Sequence, residues 1–406
     1  MQKTRSEFQI IFLLTFIHFI HLVDFVVIMP LGPTLMNSLN ISPATFASLV
    51  SAYNFAGAIT GLVISLFADK FEKKTLLSSA LVGVAFGTIF CGLASTGSQL
   101  IFARATTGFF GGVLNPLVFA LVAEWIPYQR RGKAMAWIMS GFSLASVIGV
   151  PLGLVINDYF GHRMTFYFIG VAIFFSSILC FFGLPKASIP SKEMTTKQLV
   201  KILGSSFSNK KYLQVFIYTF FISGVMFLLI PMLAPFAVKN MGMKTTDLKF
   251  MYLVGGVLTV MTARLFGVLT DRIGGRHVYA IICSLSVIPI YFYTHSGLVP
   301  FYQYIIIGSV FMSLISGRMI PAMTLTSHIP SNHQRGQFMG ILNSVRASAT
   351  ALGSLIVGLV VVEDANGKLI NFDKIGKTAI AVSLISIIFT YLIFPKNVKE
   401  SSETPH

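Results

Sequence analysis

Residues 67–74 read FADKFEKK, and residues 269–276 read LTDRIGGR. Each closes a long apolar run with an acid, follows it with basic residues, and precedes another apolar run. The pairing is not isolated. IPYQRRGKAMAWI (126–138) has a counterpart at nearly the same offset in IPSNHQRGQFMGI (329–341), and IMPLGP (28–33) has one in IPMLAP (230–235). Matching marks at an almost constant spacing indicate a duplicated unit, with both copies in the same orientation, an arrangement that places a binding site between the halves.

The composition says what the unit is made of. Of 406 residues, 54% are hydrophobic and 11% charged, with a mean hydropathy of +0.78; a soluble domain carries about a quarter charged residues. The apolar excess falls in blocks of about the 20 residues that cross ~30 Å of hydrocarbon. Twelve spans are predicted, at 9–33, 44–68, 75–95, 99–125, 134–157, 164–185, 212–237, 247–270, 277–295, 299–327, 338–362 and 376–395. Turn and breaker residues separate them, as in NISPAT, DRIGGRH and EDANGK. The expected fold is therefore an all-α membrane protein with twelve transmembrane helices in two six-helix halves. One half covers 1–185 and the other 212–395, joined by a polar linker at 186–211 and followed by a tail at 396–406. The first apolar block lacks a small-residue cleavage site and reads as a retained helix.

Charge predicts the orientation. Alternate connections carry Lys3 and Arg5; Lys70, Lys73 and Lys74; Arg130, Arg131 and Lys133; the linker lysines 186, 192, 197, 201, 210 and 211; Arg272 and Arg276; Arg335; and Lys396 and Lys399. The opposite side has Arg163, Lys239, Lys244, Lys249, Lys368, Lys374 and Lys377. The excess places both termini in the cytoplasm and the chain in the cell (inner) membrane. The net charge of +16 is thus topological: basic residues alternate with spans and do not share one face, as a nucleic-acid surface requires. Cys91, Cys180 and Cys283 lie far apart inside spans and suggest neither disulfides nor a metal cluster.

At these motifs the chain resembles a twelve-helix member of the major facilitator superfamily, in the drug:proton antiporter and sugar-efflux branch. The family's Gly-x-Leu-Ala-Asp-Arg-x-Gly-Arg-Lys motif is nearly intact in the second half, as Gly267, Asp271, Arg272, Gly274 and Arg276. The first half keeps Asp69, Lys70, Lys73 and Lys74, but Ser65 and Glu72 replace glycines. An acid there faces the positive N-terminus of a neighbouring helix, and the basic residues beyond it are placed to pair with an acid such as Glu124. Arg131 belongs to the repeated mark beside that acid. The resemblance implies that these groups latch the halves. A second mark, in span 5, retains Gly149, Pro151 and Gly153, but Val150 precedes the proline and no Gly-Gly pair follows. Small residues there allow close helix approach and the proline bends the span.

Asp24 stands alone as a carboxylate well inside a span, opposed by Arg104, Arg264, Arg318 and Arg346. Such groups mark ion or substrate pathways. His21, three residues before Asp24, shares its helix face; His18 reads as a packing or cavity residue. The resemblance places a proton-transfer arginine at Arg104, followed by Gly108. Desolvation and a neighbouring cation shift a carboxylate in opposite senses, the balance that a reversible proton carrier needs. A static pair joining helices is the structural alternative. Spans that line the centre in the resembled family contribute Phe25, Tyr53, Asn54, Asn115, Met139, Phe142, Tyr218, Phe221, Met226, Met312, Met319 and Asn343 as substrate-cavity residues. Such aromatic and methionine walls suit a partly apolar solute.

The expected function is proton-coupled secondary transport, with export of a small, partly apolar solute or drug by antiport. The alternatives are a proton-coupled importer, or an exporter of a lipid, sugar or siderophore. An intramembrane enzyme requires a converging nucleophile, base or metal set. The histidines at 18, 21, 162, 277, 295, 328, 333 and 406 are dispersed, and no HExxH, GxSxG or Walker motif occurs. Measurable solute flux separates a carrier from a transport-inactive sensor. No cofactor and no metal is expected. The expected partners are a small-molecule substrate, protons and the lipid bilayer, with no nucleic acid, and the chain is expected to be a monomer.

Overall fold

The computed structural model describes residues 6–67, 70–187, 203–330 and 335–394. Asp69, most of the linker and the tail lie outside them, as do the side chains of Ser65 and Arg335. Among the described residues, eleven helices are long and apolar enough to cross a membrane. One of them, Gln129–Gly183, runs for 55 residues, far more than a bilayer needs. It breaks at Gly161, whose φ of 81° leaves the helical region. That single break makes twelve spans.

They are α1 (Glu7–Val27), α2 (Pro43–Phe67), α3 (Lys73–Leu93), α4 (Gly97–Trp125), α5 (128–160) and α6 (162–183) in the first half. The second half has α7 (Lys210–Lys239), α8 (Leu248–Ile273), α9 (Gly275–His295), α10 (Phe301–Gly317), α11 (Arg335–Val360) and α12 (Phe372–Ile393). Short helices Gly32–Ser38 and Met319–Ser327 continue α1 and α10. The single sheet among the described residues is a two-stranded antiparallel hairpin, Val362–Glu363 with Leu369–Ile370, between α11 and α12. With an even number of spans, α1 begins and α12 ends at one face, here the terminal face; the other is the distal face. Residues 203–208 are helical, so regular structure begins within the interval expected to be linker.

Hydrogen bonding explains the helices and small residues explain their packing. In hydrocarbon every backbone donor must be met within the segment, and association rests on close approach, not on apolar burial. Glycines 57 and 61 of α2 face glycines 108 and 112 of α4. A Cβ on Gly108 would lie 2.2 Å from the Tyr53 carbonyl oxygen, and one on Gly112 would lie 2.3 Å from that of Gly57. The two GxxxG patterns thus form a backbone-to-backbone seam. On α5, Gly149 and Gly153 make room for the side chains of Val23 and Val27 of α1.

The span-5 proline sits in a structural irregularity. Ala145–Gly149 form a π-helical turn directly before Val150 and Pro151, a wide turn of the kind that relieves a missing N–H. Gly256 of α8 packs on this turn, where an added Cβ would come within 3.1 Å of the Ser146 carbonyl.

The halves also pack on each other at their distal ends. Pro235 of α7 lies against Gly32, and Gly358 of α11 admits Ala44 and Ala47 of α2. Lys249 Nζ donates to Asp158 Oδ2 at 2.8 Å across the halves, with the side chains 25% and 11% exposed. A partly buried pair of this kind stabilises by about 1 kcal/mol. The double variant Asp158→Asn/Lys249→Gln is expected to move the equilibrium about fivefold toward a distal-open form. Thiol labelling of a cysteine placed at Met36 would rise accordingly; unchanged labelling would show that the pair does not hold the closure.

Candidate functional site

Asp24 is fully buried near the distal end of α1. Its Oδ1 accepts from Thr88 Oγ1 of α3 at 2.8 Å, and its Oδ2 accepts from Arg104 Nη1 of α4 at 3.2 Å. Arg104 is 1% exposed and lies seven residues into α4, ~10 Å below its distal end. The face of Tyr53 on α2 covers the guanidinium, 4.3 Å from ring centroid to Cζ. Four helices of the first half therefore converge on one ion pair: α1 supplies the acid, α4 the base, α3 a hydroxyl and α2 a π-face. The glycine seam carries this geometry, because Gly108 packs directly on the backbone of Tyr53.

The shell is not saturated. Arg104 Nε and His21 Nδ1 are buried without hydrogen-bond partners, and His18 of α1 hydrogen-bonds to Asn115 of α4. A Cβ on Gly111 would touch both His21 and the Tyr53 hydroxyl, 3.0 and 2.8 Å away, so the imidazole lies beside the phenol. These free donors and acceptors leave room for a changed protonation state without a buried clash.

The cavity residues expected from the sequence fall into separate groups. Phe25 stands between Tyr53 (5.2 Å between centroids) and Phe227 of α7 (6.3 Å), next to the ion pair and between the halves. Asn54 is buried and donates to the Val50 carbonyl at 2.9 Å. Met139 and Phe142 are exposed on α5, on the terminal side of the π-turn. Met312 packs against Gly255, and Met226 and Met319 are half-buried. Asn343 accepts from Arg346 at 3.4 Å. Tyr218 and Phe221 turn toward α12 instead: the Tyr218 hydroxyl accepts from Thr390, and Phe221 is exposed.

The motif residues sit at the terminal face. Lys73 Nζ is 3.6 Å from Glu124 Oε2, joining the start of α3 to the end of α4. Lys74 lies over the Phe181 ring, and Arg131 Nε donates to the Ile126 carbonyl at 2.9 Å. Glu72, where the family motif has glycine, caps α3 through the Thr75 amide and accepts from the Ala187 amide at 2.8 Å. Burial acts to raise its carboxyl, but the bonds it accepts from Thr75, Ala187 and Lys74 outweigh that and hold it below the usual carboxylate range. It is a fixed tie, not a titrating latch. In the second half Gly274 makes the turn, with φ 88°, and space is open around Gly267. Asp271 and Arg272 are exposed, and Arg276 donates to the Phe394 carbonyl at 3.0 Å while stacking on Tyr391.

Sequence reasoning missed Thr88, the glycine seam and the Asp158–Lys249 pair. The seam carried a signal, a GxxxG pattern in each of spans 2 and 4; Thr88 carried none beyond being a hydroxyl in an apolar run.

Two six-helix halves, the first holding a buried acid–base pair, make an arrangement that comparison with known proteins identifies. The family model of the Major Facilitator Superfamily matches residues 14–354 and 215–405. The chain belongs to that superfamily and is a multi-pass membrane transporter of a small molecule. It is similar to Multidrug resistance protein 2 of Bacillus subtilis, 23% identical over 87% of this chain and 88% of the relative. It also resembles Multidrug resistance protein MdtG of Salmonella paratyphi B, 22% identical over 82% and 83% of the two chains. Among solved structures, the nucleoside transporter NupG superposes with a TM-score of 0.77 at 13% identity, over 96% of this chain and 99% of that one. A D-xylose-proton symporter gives 0.75 at 17% identity, over 97% and 99%. Both share the fold.

Proposed function

We propose that the chain is a proton-coupled exporter of a small, partly apolar solute, with Asp24 as the coupling acid, Arg104 as its counter-ion and His21 beside them. The observation that carries this reading is the Asp24–Arg104 pair, 0% and 1% exposed and joined to α3 by Thr88. Ionised, Asp24 ties α1 to α3 and α4. Protonated, it loses its attraction for Arg104, and α1 is free to move against the half behind it. A buried pair is a poor static brace, because desolvation offsets most of its Coulombic gain; a switch is the better use of it.

Export is supported by the multidrug-resistance names of two relatives that span most of the chain and by the retained Gly149, Pro151 and Gly153. Phe25, Tyr53 and Phe227 give the solute an aromatic wall next to the acid. The terminal face is cytoplasmic in this reading, following the basic connections, and the monomer is the working unit. A thermal-shift screen against drugs, sugars, amino acids and lysolipids selects the solute. In proteoliposomes without ATP, an imposed pH gradient is then expected to drive solute and protons in opposite directions. Movement in the same direction makes the protein a symporter; flux indifferent to the gradient removes proton coupling altogether.

A further inference from the structure

Asp24 has no direct contact with water. It is 0% exposed, and its oxygens are bonded to Thr88 and Arg104. A buried carboxyl that gains and loses a proton needs neighbours that carry it, and α1 supplies them. His21 and His18 lie three and six residues before Asp24 on nearly the same face, each step ~4.5 Å closer to the terminal face. Exposure rises along the row, to 4% at His21 and 7% at His18. The row ends on Asn115 of α4, which hydrogen-bonds to His18 and is half-buried.

Both rings occupy space that glycine leaves. A Cβ on Gly111 of α4 would lie 3.0 Å from His21 Cε1, and one on Gly141 of α5 would lie 3.2 Å from His18 Cδ2. His21 Nδ1 is buried without a partner, although a buried polar atom is ordinarily bonded to protein or to water. The charged or titratable groups that face His21 are Arg104 of α4, the Tyr53 hydroxyl of α2 and His18. His18 faces His21 along α1, Asn115 and the Phe119 ring on α4, and Gly141 on α5. Two imidazoles thus stand in single file between the buried acid and a half-buried amide.

We propose that His21 and His18 carry the proton between Asp24 and the terminal face, a water bridging each step, with Asn115 orienting the outer ring. This rests on the reading of Asp24 as the coupling acid and adds the path its proton takes. A neutral imidazole has one N–H and one bare nitrogen. As the Asp24 O–H bond breaks, its proton bonds to the bare nitrogen of His21, and the N–H on the other side of that ring breaks toward His18. The same exchange at His18 delivers a proton to water beyond Asn115. Both rings end neutral, and Asp24 is left ionised on Arg104. The path serves loading from that face in reverse, so it does not depend on the direction of transport.

A pH jump on the purified protein, followed by time-resolved infrared difference spectroscopy, tests it without a solute. The C=O stretch of a protonated carboxyl that Asp24→Asn removes is assigned to Asp24. In His18→Leu that band is expected to keep its amplitude and midpoint pH but to form about a hundredfold more slowly, the lower end of what a positioned proton-transfer group contributes. A histidine that only packs would move the amplitude or the midpoint and not the rate alone. Asn115→Leu, which leaves the ring unoriented, is expected to slow the band about fivefold, the scale of one lost hydrogen bond. His277→Leu, at an exposed position on α9, is expected to match the wild type. A wild-type rate in His18→Leu, or in Asn115→Leu where that variant alone folds, overturns the path and leaves Asp24 as the coupling acid. A wild-type protein without the band shows that Asp24 does not titrate, and removes the coupling reading together with the path.

Discussion

Asp24→Asn is expected to abolish gradient-driven flux, down to the leak of protein-free liposomes, while solute binding persists and loses its pH dependence. The amide keeps an oxygen for Thr88, so the α1–α3 contact survives. Arg104, however, is left as a buried charge facing a neutral group, and removing one partner of such a pair costs on the order of 3–5 kcal/mol. Lower thermal stability alone would therefore not distinguish coupling from bracing. The double variant Asp24→Asn/Arg104→Gln does. With both charges gone the desolvation cost disappears as well, so stability should recover most of what the single variant lost, yet flux should remain at background. A double variant that concentrates solute against its gradient at a rate near wild type would show that the pair is only a brace and that coupling resides elsewhere.

Gly108→Val should have the largest effect on folding. The obstruction is backbone, the Tyr53 carbonyl 2.2 Å from the new Cβ, so no side-chain rotation relieves it. α2 and α4 must separate, and the Tyr53 ring leaves the face of Arg104 as they do. Overpacking in a well-packed core costs ~1–3 kcal/mol and more when backbone must shift; a sharp fall in folded yield and in apparent Tm is the expected result. Gly132→Ala is the control. Nothing lies within 4 Å of its added Cβ, and alanine in place of a helical glycine is neutral or gains up to about 1 kcal/mol. If Gly108→Val and Gly132→Ala melt alike, the seam is not what sets the distance between α2 and α4.

Much of this was legible before any coordinates, and the reasons are physical. Spans are written in apolar length and breaks in turn chemistry, so all twelve helices lie close to where hydropathy places them. Asp24 and Arg104 were legible because a charge in hydrocarbon needs a partner and the first half offers few. Facing was not legible. In water the apolar stripe of a helix identifies its buried side; in lipid both sides are apolar, and rotation about the axis leaves little trace. Hence Tyr218 and Phe221, assigned to the centre by span number, turn toward α12, while Tyr53 covers an arginine. The Asp158–Lys249 contact escaped for another reason: its partners flank spans in different halves, and no spacing rule links them. Glu72 departs from the family glycine because a side-chain cap does there what backbone freedom does at Gly274.

That last difference has a mechanical side. In the second half a single residue, Gly274, separates α8 from α9. A one-residue joint has no slack, so any tilt of α8 against the π-turn of α5 passes at once into α9 and, through Arg276 on the Phe394 carbonyl, into the end of α12. The Gly274 joint thus works as a stiff lever, carrying displacement from the middle of the molecule to the end of α12.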